Sequence, residues 1–413
     1  MKKVFYYFNS YVDVRFAYSQ HYNTVYKICQ MCYNIIAEEG IMVNTKIISA
    51  NLKRFRLLKN TTQEDLAKKA GISLAGYRNF ESGRTIPKIT ILMEIAKAMG
   101  LTLENLVTEI QIPTKIRFRC QRSLKTRDQI LIEVIKKLNN FNYLENILKV
   151  KKSFKYESSF VDPIKAANEM RKEADLKLKE PIMDICGLIE EKFSIKIIPI
   201  VVNSNLFFGL SIGEEDGGPA IVVNIWERIP VERWIFTVAH EFGHIILHKN
   251  SFNVNATEEI KTQEDEANKF ASYFLMPDEL FNDEWQKTEG LSFLDRVFKL
   301  KRICRVSYKT VLYRLQEKYM EKYPDVNIWK EFNLHYKHQY NLFLPHSEEP
   351  LPLENWAANE PKRLDNADFS EDRLAYLVKK ALLKEHITRS RAAEILGISN
   401  EEISQRVKEW IKH

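Results

Sequence analysis

Apolar residues recur at helical spacing along residues 45–107, in short runs that glycine and polar residues interrupt. Thr62 and Ser73 stand just before two of these runs, where a hydroxyl group caps a helix, and Gly71 separates the two runs. Pro87 and Gly100 bound a further run. The pattern predicts short helices over 51–58, 63–69, 74–82, 91–99 and 101–107.

Beyond residue 113 a basic segment with helical spacing comes first, and β-branched and aromatic runs with turn residues between them follow. These runs predict a three-stranded sheet over 195–202, 206–212 and 220–225. Helices are predicted over 163–178, 181–192, 230–248 and 262–276, and again within 281–365 and 370–413. The predicted fold class is therefore mainly α with a small β-sheet (α+β).

The same patterns divide the chain into six segments. They are an N-terminal extension of uncertain status (1–41), an all-α domain (42–110), a basic helical linker (111–160), a mixed domain (161–320), a connecting region (321–369) and a helical C-terminal segment (370–413). Residues 1–41 are rich in Phe and Tyr and contain Cys29 and Cys32 without a second ligand pair, so two free thiols are expected there. Met42 is the expected true start of the protein.

Composition limits the class of protein. Hydrophobic residues make up 45% and charged residues 28% of the 413 residues, which is ordinary for a globular chain. No apolar run approaches the ~20 residues that a bilayer crossing needs, so no membrane is expected as a partner. Five cysteines are too few and too scattered for a disulfide framework, which favours the reducing cytoplasm as the location.

The net charge of +7 is unevenly distributed. Residues 45–107 contain eleven basic and five acidic residues, and residues 113–155 contain twelve basic and three acidic residues. The rest of the chain is therefore acidic. This asymmetry predicts that the N-terminal part faces nucleic acid and that the remainder has a different task.

The run TTQEDLAKKAGISLAGYRNFESGRTIP has the spacing of a helix-turn-helix, with Leu66 and Tyr77 on its apolar side. The N-terminal half of its second helix, which enters a major groove in such domains, presents Leu74, Ala75, Arg78 and Asn79 outwards. The side chains available for phosphate contacts are Lys53, Arg54, Arg56, Lys59 and Arg84.

Over about 60 residues, including the ESGRTIP exit, this segment resembles the XRE/Cro-repressor type of helix-turn-helix. The resemblance implies that Gln63 contacts a DNA phosphate, and that Leu74, Ala75 and Asn79 face the bases of double-stranded DNA. It also implies a homodimer that reads paired half-sites. The candidate DNA-binding residues are Gln63, Ser73, Leu74, Ala75, Arg78 and Asn79.

The run VERWIFTVAHEFGHIILHK carries a second constellation. His240 and His244 lie four residues apart on one helix face, so both imidazoles can reach one metal ion, and Glu241 lies beside them as a candidate general base. A catalytic zinc site needs a third protein ligand. His248 is a poor candidate because it lies roughly 12 Å along the helix from His240.

A better third ligand lies in the run KTQEDEANKFASYFLMP, where Glu264, Asp265 and Glu266 are adjacent. At about 100° per residue, Glu264 lies near the apolar stripe of this helix, whereas Asp265 and Glu266 face water. A buried carboxylate at the head of an apolar stripe requires a cation. The alternative is an acidic residue that only favours the helix N-terminus.

HEFGH followed by E-x-x-A-N-x-F-A and L-M-P resembles the ImmA/IrrE-type zinc metallopeptidases, over about 160 residues that include the stretch LKRICRVSYKTVLYRL. The resemblance implies a zincin-like fold in which His240, His244 and Glu264 bind Zn²⁺ and Glu241 is the general base. It also implies control of transcription by cleavage of a repressor-like protein.

The sequence thus favours a DNA-binding transcriptional regulator with a zinc-dependent endopeptidase domain, acting on a protein substrate. The alternative is a non-proteolytic transcription factor or antitoxin whose metallopeptidase-like domain is a sensor or structural module. Strand 220–225 precedes the HExxH helix and is expected to pair with an extended substrate. Tyr273 is a possible oxyanion stabiliser, although an ordinary core tyrosine is the favoured interpretation.

The C-terminal run ITRSRAAEILGISNEEISQRVKEWI has a second helix-turn-helix spacing around Gly397. Glu401 and Glu402 stand at the start of its second helix, where they would repel DNA phosphates. The segment is therefore predicted to be a packing or protein-contact module.

Overall fold

The computed structural model describes residues 45–58, 61–101, 103–107, 116–120, 127–151, 153–154, 162–204, 206–252, 260–320, 325–341, 344 and 360–412. The predictions for residues 1–41, including Cys29 and Cys32, lie outside these residues. The chain divides into two compact units, Met1–Gln111 and Ile112–His413. Within the described residues, no helix has both the length and the apolar character that a membrane crossing requires.

The described residues of the first unit form helices and turns only, as the hydrophobic pattern predicts. Its helices are α1 (Thr45–Leu58), α2 (Gln63–Lys69), α3 (Leu74–Glu81), α4 (Ile89–Met99) and α5 (Leu103–Val107). The hydroxyl oxygen of Thr62 accepts a hydrogen bond from the Asp65 backbone N–H, and that of Ser73 accepts one from the Gly76 backbone N–H. Both caps are at the predicted positions, and they fix the turn between α2 and α3.

The second unit contains a four-stranded sheet. Its strands are β1 (Ile116–Cys120), β2 (Lys196–Ile200), β3 (Phe207–Ile212) and β4 (Ala220–Asn224). Their spatial order is β1-β3-β4-β2, in which β3 is antiparallel to both of its neighbours and β2 is parallel to β4. The mainly α fold class with a small sheet is confirmed, but the sheet has one strand more than the sequence predicted.

The additional strand, β1, lies in the segment that was expected to be a basic helical linker. The sequence IRFRC alternates apolar and basic residues, which is a strand pattern, but the high charge of the segment and the helical spacing beyond residue 127 favoured a helical linker. The remainder of that segment includes α6 (Arg127–Leu148). Residues 111–160 thus contribute a strand and a long helix to the second unit.

The other helices of this unit surround the sheet. They are α7 (Pro163–Glu173), α8 (Ile185–Phe193), α9 (Val231–Leu247), α10 (Lys261–Leu275), α11 (Asp278–Lys287), α12 (Phe293–Cys304), α13 (Tyr308–Met320), α14 (Ile328–Tyr340), α15 (Arg373–Leu383), α16 (Arg389–Leu396) and α17 (Asn400–Lys412). Helix α8 begins later than Pro181 because Asp184 caps it through the Gly187 backbone N–H.

The sheet lies between two helical layers. Ile198, Leu210 and Val222 on one face pack with apolar residues of α6. Ile197 and Val223 belong to the larger core that includes α9 and α10. The alternation of strand residues between these two cores places α9, with its HExxH motif, on one face of the sheet and α6 on the other.

The C-terminal helices pack on the far half of α6. Phe141, Leu144 and Leu148 of α6 share a core with α15, α16 and α17, and Arg373 of α15 forms an ion pair with Glu145 of α6. Glu401 and Glu402 are exposed on α17. This arrangement supports packing as the role of the C-terminal segment.

A buried ion cluster joins α9 to α12 and to residues 360–364. The Lys301 ammonium group contacts the Glu232 carboxylate and lies 3.2 Å from Glu360 Oε1. The Leu364 backbone N–H donates to Glu232 Oε1 at 2.6 Å. Lys301 and Glu232 are almost completely buried, and burial raises the pKa of Glu360 to about 7. One cation therefore holds two buried carboxyl groups at the start of the helix that carries HExxH.

We expect Lys301→Met to destabilise the second unit by about 3–5 kcal/mol, because it leaves Glu232 and Glu360 buried without their cation. The measurement is urea unfolding followed by tryptophan fluorescence, which reports on the second unit alone because all six tryptophans follow residue 225. Lys299→Met, at an exposed position of the same helix, is the matched control and should change the free energy of unfolding by less than about 0.5 kcal/mol. Equal effects of the two substitutions would contradict this role of Lys301.

Candidate metal centre and DNA-recognition helix

Helices α9 and α10 bring the predicted metal ligands together. Nε2 of His240 and Nε2 of His244 lie 3.0 Å apart. The Glu264 carboxylate lies 3.3 Å from the first nitrogen and 3.1 Å from the second. The ligand atoms of these three residues all lie within 4.8 Å of one another, and all three residues are buried.

The second nitrogen of each imidazole is held by a polar partner. His240 Nδ1 donates to Asn268 Oδ1 at 2.9 Å, which in the neutral ring leaves Nε2 as an acceptor. His244 Nδ1 lies 3.0 Å from His248 Nδ1, and His248 Nε2 donates to the Glu266 carboxylate at 2.7 Å. With His248 Nδ1 as acceptor, His244 Nδ1 carries the proton and its Nε2 is also an acceptor.

Burial also favours the metal-binding protonation states. It lowers the pKa of His244 to about 4, so this imidazole is neutral at ordinary pH. Burial raises the pKa of Glu264, but a cationic or hydrogen-bond-donating partner at its carboxylate, such as the two imidazoles when they carry the proton on Nε2, lowers it more, and the net pKa lies well below the ordinary range. Two neutral imidazoles and a carboxylate are the protonation states that a metal ion requires.

Glu241 faces the sheet from the same turn of α9. The Ser211 hydroxyl group of β3 donates a hydrogen bond to Glu241 Oε2. Gly209, two residues earlier in β3, makes this approach possible, because a Cβ atom there would lie 2.6 Å from Thr237 Cγ2 and 2.7 Å from the Val222 carbonyl oxygen. The Gly-Leu-Ser segment of β3 thus holds the carboxylate of the residue that follows His240.

Arg117 of β1 reaches the same cluster. Its Nη2 donates to Glu264 Oε1 at 2.9 Å and its Nη1 donates to Gln263 Oε1 at 2.6 Å. This contact could not be predicted from the sequence, because Arg117 is one of twelve basic residues in a segment that was expected to be a basic helical linker. Ser211 was also missed, although a polar residue in an otherwise apolar strand is a usable signal.

The other candidates near the cluster have different roles. His248 is the residue that ends α9, and it holds His244 rather than joining the three converging ligands. Asp265 is exposed, whereas Glu266 is partly buried against His248. Tyr273 packs under Arg314, whose guanidinium carbon lies 3.5 Å from the ring centroid, and its hydroxyl group lies 3.4 Å from Glu317. These contacts support the interpretation of Tyr273 as a core tyrosine.

In the first unit, the N-terminal half of α3 is available to a ligand. Ser73, Ala75 and Arg78 are exposed, and Leu74 and Asn79 are partly exposed. The Ser73 oxygen caps α3, and Gln63 accepts a hydrogen bond from Arg78 Nε at 3.3 Å.

The expectation that Arg56 is available for DNA phosphates is wrong. Its Nε and Nη2 donate to the Glu81 carboxylate at 2.8 and 2.7 Å, and its Nη1 donates to the Thr61 carbonyl oxygen at 3.1 Å. Gln63 Nε2 donates to the same carboxylate at 3.0 Å. Arg56 therefore ties α1 to α3, and Lys59 lies outside the described residues.

Comparison with known families agrees with both constellations. A model of the IrrE N-terminal-like domain, Peptidase_M78, matches residues 190–316, and a helix-turn-helix model, HTH_3, matches residues 52–106. An HTH-type transcriptional regulator of Methanocaldococcus jannaschii is 42% identical over 55 residues, which are 13% of this chain and 83% of that protein. One of Sinorhizobium fredii is 35% identical over 63 residues, which are 15% of this chain and 82% of that protein.

A solved structure of ComR from S. thermophilus in its apo form aligns with 71% of this chain and 95% of its own chain. The identity is 14% and the TM-score is 0.15, so this likeness carries no argument. The two domain matches cover the DNA-facing helices and the His-His-Glu cluster separately. The chain therefore belongs to the XRE-type helix-turn-helix regulators and carries, on the same polypeptide, a domain of the ImmA/IrrE-like Peptidase_M78 family.

Proposed function

We propose that this chain is a DNA-binding transcriptional regulator whose second unit is a zinc-dependent endopeptidase that cleaves a regulatory, repressor-like protein. The convergence of His240, His244 and Glu264 next to Glu241 is the observation that carries this proposal. A helix-turn-helix domain on the same chain supports the assignment to transcription, because it brings the peptidase to DNA where regulators are bound.

Zinc fits the donor set. Two imidazole nitrogens and one carboxylate are a known ligand set of catalytic zinc sites, which keep a further position open for water or substrate. Asn268 and His248 hold the second nitrogens of the two imidazoles, as the partners of zinc-binding histidines commonly do. We propose that His240, His244 and Glu264 hold the ion.

A bound zinc ion supplies Lewis acidity, which acidifies a water molecule and polarises a peptide carbonyl group. Glu241 accepts the proton of the attacking water and delivers it to the leaving amine. Ser211 keeps the Glu241 carboxylate in place by its hydrogen bond, so the base is oriented before the substrate arrives. The apolar packing around α9 limits the access of bulk water to these groups.

The strand that we propose to pair with the substrate is not strand 220–225, which the sequence indicated. Strand β4 pairs with β2 on one side and with β3 on the other, so no edge of β4 is available to a peptide, and the expectation for 220–225 is wrong. Strand β3 contacts Glu241 through Ser211 and has β4 on one side and the terminal strand β1 on the other. We propose that an extended substrate pairs with the edge of β3 that faces away from β4.

For DNA, we propose that α3 enters the major groove of a double-stranded operator. Leu74, Ala75 and Asn79 face the bases, and Gln63, Ser73 and Arg78 contact the backbone near them. A homodimer supplies two such helices and reads paired half-sites. The exposure of the N-terminal half of α3 supports this assignment.

The metal assignment predicts about one zinc per chain in the purified protein. We expect His240→Ala, His244→Ala and Glu264→Ala each to remove most of this zinc, because each removes one of three protein ligands. Glu241→Gln should retain it, since Glu241 is not a ligand. The measurement is elemental mass spectrometry after dialysis against a weak chelator.

Asp265→Ala is the matched control for Glu264→Ala, because it removes an exposed carboxylate from the adjacent position of the same helix. It should leave the zinc content at the wild-type value. Loss of zinc in both variants, or in neither, would show that the ligand set is wrong.

The peptidase assignment predicts that Glu241→Gln lowers cleavage by a factor of about 10²–10⁴, because the general base is lost while zinc remains. Mass spectrometry of protein N-termini in cells expressing the wild type or this variant identifies the cleaved proteins. A repressor-like protein should be among those cut only by the wild type. If the same transcripts respond equally to both forms, the chain regulates without proteolysis.

The DNA assignment predicts a local loss of specificity in Asn79→Ala. The operator is first recovered from a random duplex library with the wild-type protein, and binding is then measured with every base substituted in turn. The variant should lose about 1–3 kcal/mol of discrimination at one base pair per half-site. Lys97→Ala, exposed on α4, should leave this discrimination unchanged. Full discrimination in Asn79→Ala would place its side chain away from the bases.

A further inference from the structure

The edge of β3 that faces away from β4 has an occupant within the chain itself. Strand β1 pairs antiparallel with β3, with Arg117 opposite Ser211 and Phe118 opposite Leu210. Ser211 is the residue whose hydroxyl group holds Glu241. A strand at this position therefore runs directly past the candidate catalytic carboxylate.

In the described sheet β4 has neighbours on both sides, the outer edge of β1 is one strand away from β3, and the outer edge of β2 is two strands away from it. An extended peptide that pairs with β3 beside Glu241 must therefore take the place that β1 occupies. The antiparallel direction of β1 is also one in which a peptide can add to a sheet edge.

Arg117 attaches β1 to the metal ligands. It alternates with Phe118 along the strand, so it points to the sheet face that carries α9, as Ser211 does. Its guanidinium group bridges Gln263 and Glu264, and its contact on Glu264 is Oε1, which also lies 3.1 Å from His244 Nε2. The side chain of Arg117 is only 11% exposed. The strand is thus joined to the centre by its pairing with β3 and by a partly buried ion pair.

We propose that β1 is an internal competitor of the substrate: in this conformation it closes the peptidase by filling the substrate edge of β3, and Arg117 holds it there. This inference rests on the proposed function. Access for a protein substrate requires that β1 leaves β3 and that the ion pair of Arg117 with Glu264 breaks.

The position of β1 in the sheet favours such an exchange. It is a five-residue strand at the end of the strand order, and its register with β3 shifts between Phe118 and Cys120. A short terminal strand with an irregular ladder opens at a lower free energy than the strands inside a sheet. The incoming peptide restores the backbone hydrogen bonds that β3 loses, so the exchange is nearly balanced in hydrogen bonds.

The first test weakens the attachment at Arg117. Zinc-loaded full-length protein is incubated with β-casein, an unfolded protein, and the cleavage rate is measured. We expect Arg117→Glu to raise the rate about tenfold or more, equivalent to ~1.4 kcal/mol in the equilibrium between the closed and open strand, because a carboxylate replaces the guanidinium group beside Glu264. Arg302→Glu makes the same charge change at an exposed site on α12 and should leave the rate unchanged.

The second test holds β1 in place reversibly. Phe118 and Leu210 are direct cross-strand partners, and Leu210 faces α6 rather than Glu241. A disulfide in the double variant Phe118→Cys, Leu210→Cys should abolish cleavage, and reduction with a phosphine should restore it in the same sample. Wild-type protein treated with the same oxidant and reductant is the control.

The outcomes separate the inference from the function on which it rests. Loss of cleavage in the oxidised form together with faster cleavage by Arg117→Glu supports the internal competitor. Equal cleavage by the oxidised and reduced forms overturns it, while the peptidase function stands. Slower cleavage by Arg117→Glu at unchanged zinc content also overturns it, since β1 would then be a permanent part of the substrate site.

Cleavage by Glu241→Gln at the wild-type rate would trace the activity to a contaminant, and the peptidase assignment would fail. Absence of casein cleavage in every zinc-loaded form, including Arg117→Glu and the reduced double variant, overturns both the peptidase assignment and the inference. Zinc content measured on the same samples distinguishes this result from loss of the metal.

Discussion

The close crossing of α9 and α10 is the constraint on which the second unit depends. At Gly243, between the two histidines of the HExxH motif, a Cβ atom would lie 2.9 Å from a ring carbon of Phe270. Phe242 packs edge-on against Phe270 and Phe274, so the helices meet through aromatic rings around a position without a side chain. This approach places Glu264 of one helix within 3.3 Å of both imidazoles of the other.

The crossing has an electrostatic cost that the surroundings offset. Two imidazoles and several carboxylates are buried in an apolar core, which is unfavourable unless each polar atom has a partner. Asn268, His248 and Ser211 supply such partners, and Lys301 neutralises Glu232 at the start of α9. The polar groups thus form two clusters along α9. The ion pair of Lys301 with Glu232 anchors its first turn, and the second cluster contains the candidate metal ligands.

The sheet connects α9 to α6 and β1, which precede it in the chain. Strand β3 contacts α9 on one face and α6 on the other, and β1 brings Arg117 from the segment after the first unit to Glu264, one of the candidate ligands. A basic segment that looks like a spacer in the sequence therefore contributes both a sheet strand and a charged contact at the centre.

The sequence by itself determined the local features of this protein. Helical spacing and capping residues located α2 to the residue and α3 to within one residue. The HExxH spacing named three candidate positions on α9, and the apolar stripe of α10 selected Glu264 over its acidic neighbours as the candidate third ligand. Each of these features lies within one or two helical turns, and over that length the spacing of residues in the sequence determines which side chains share a helix face.

Only the tertiary structure decided the contacts between distant segments. Arg117 lies 147 residues from Glu264, Ser211 lies 30 residues from Glu241, and Arg56 lies 25 residues from Glu81. The strand order enclosed β4 between β3 and β2, and it placed β1 along β3, the strand that holds Glu241. Such pairings depend on which sheet edge and which helix face remain available after packing, and no local period encodes that choice.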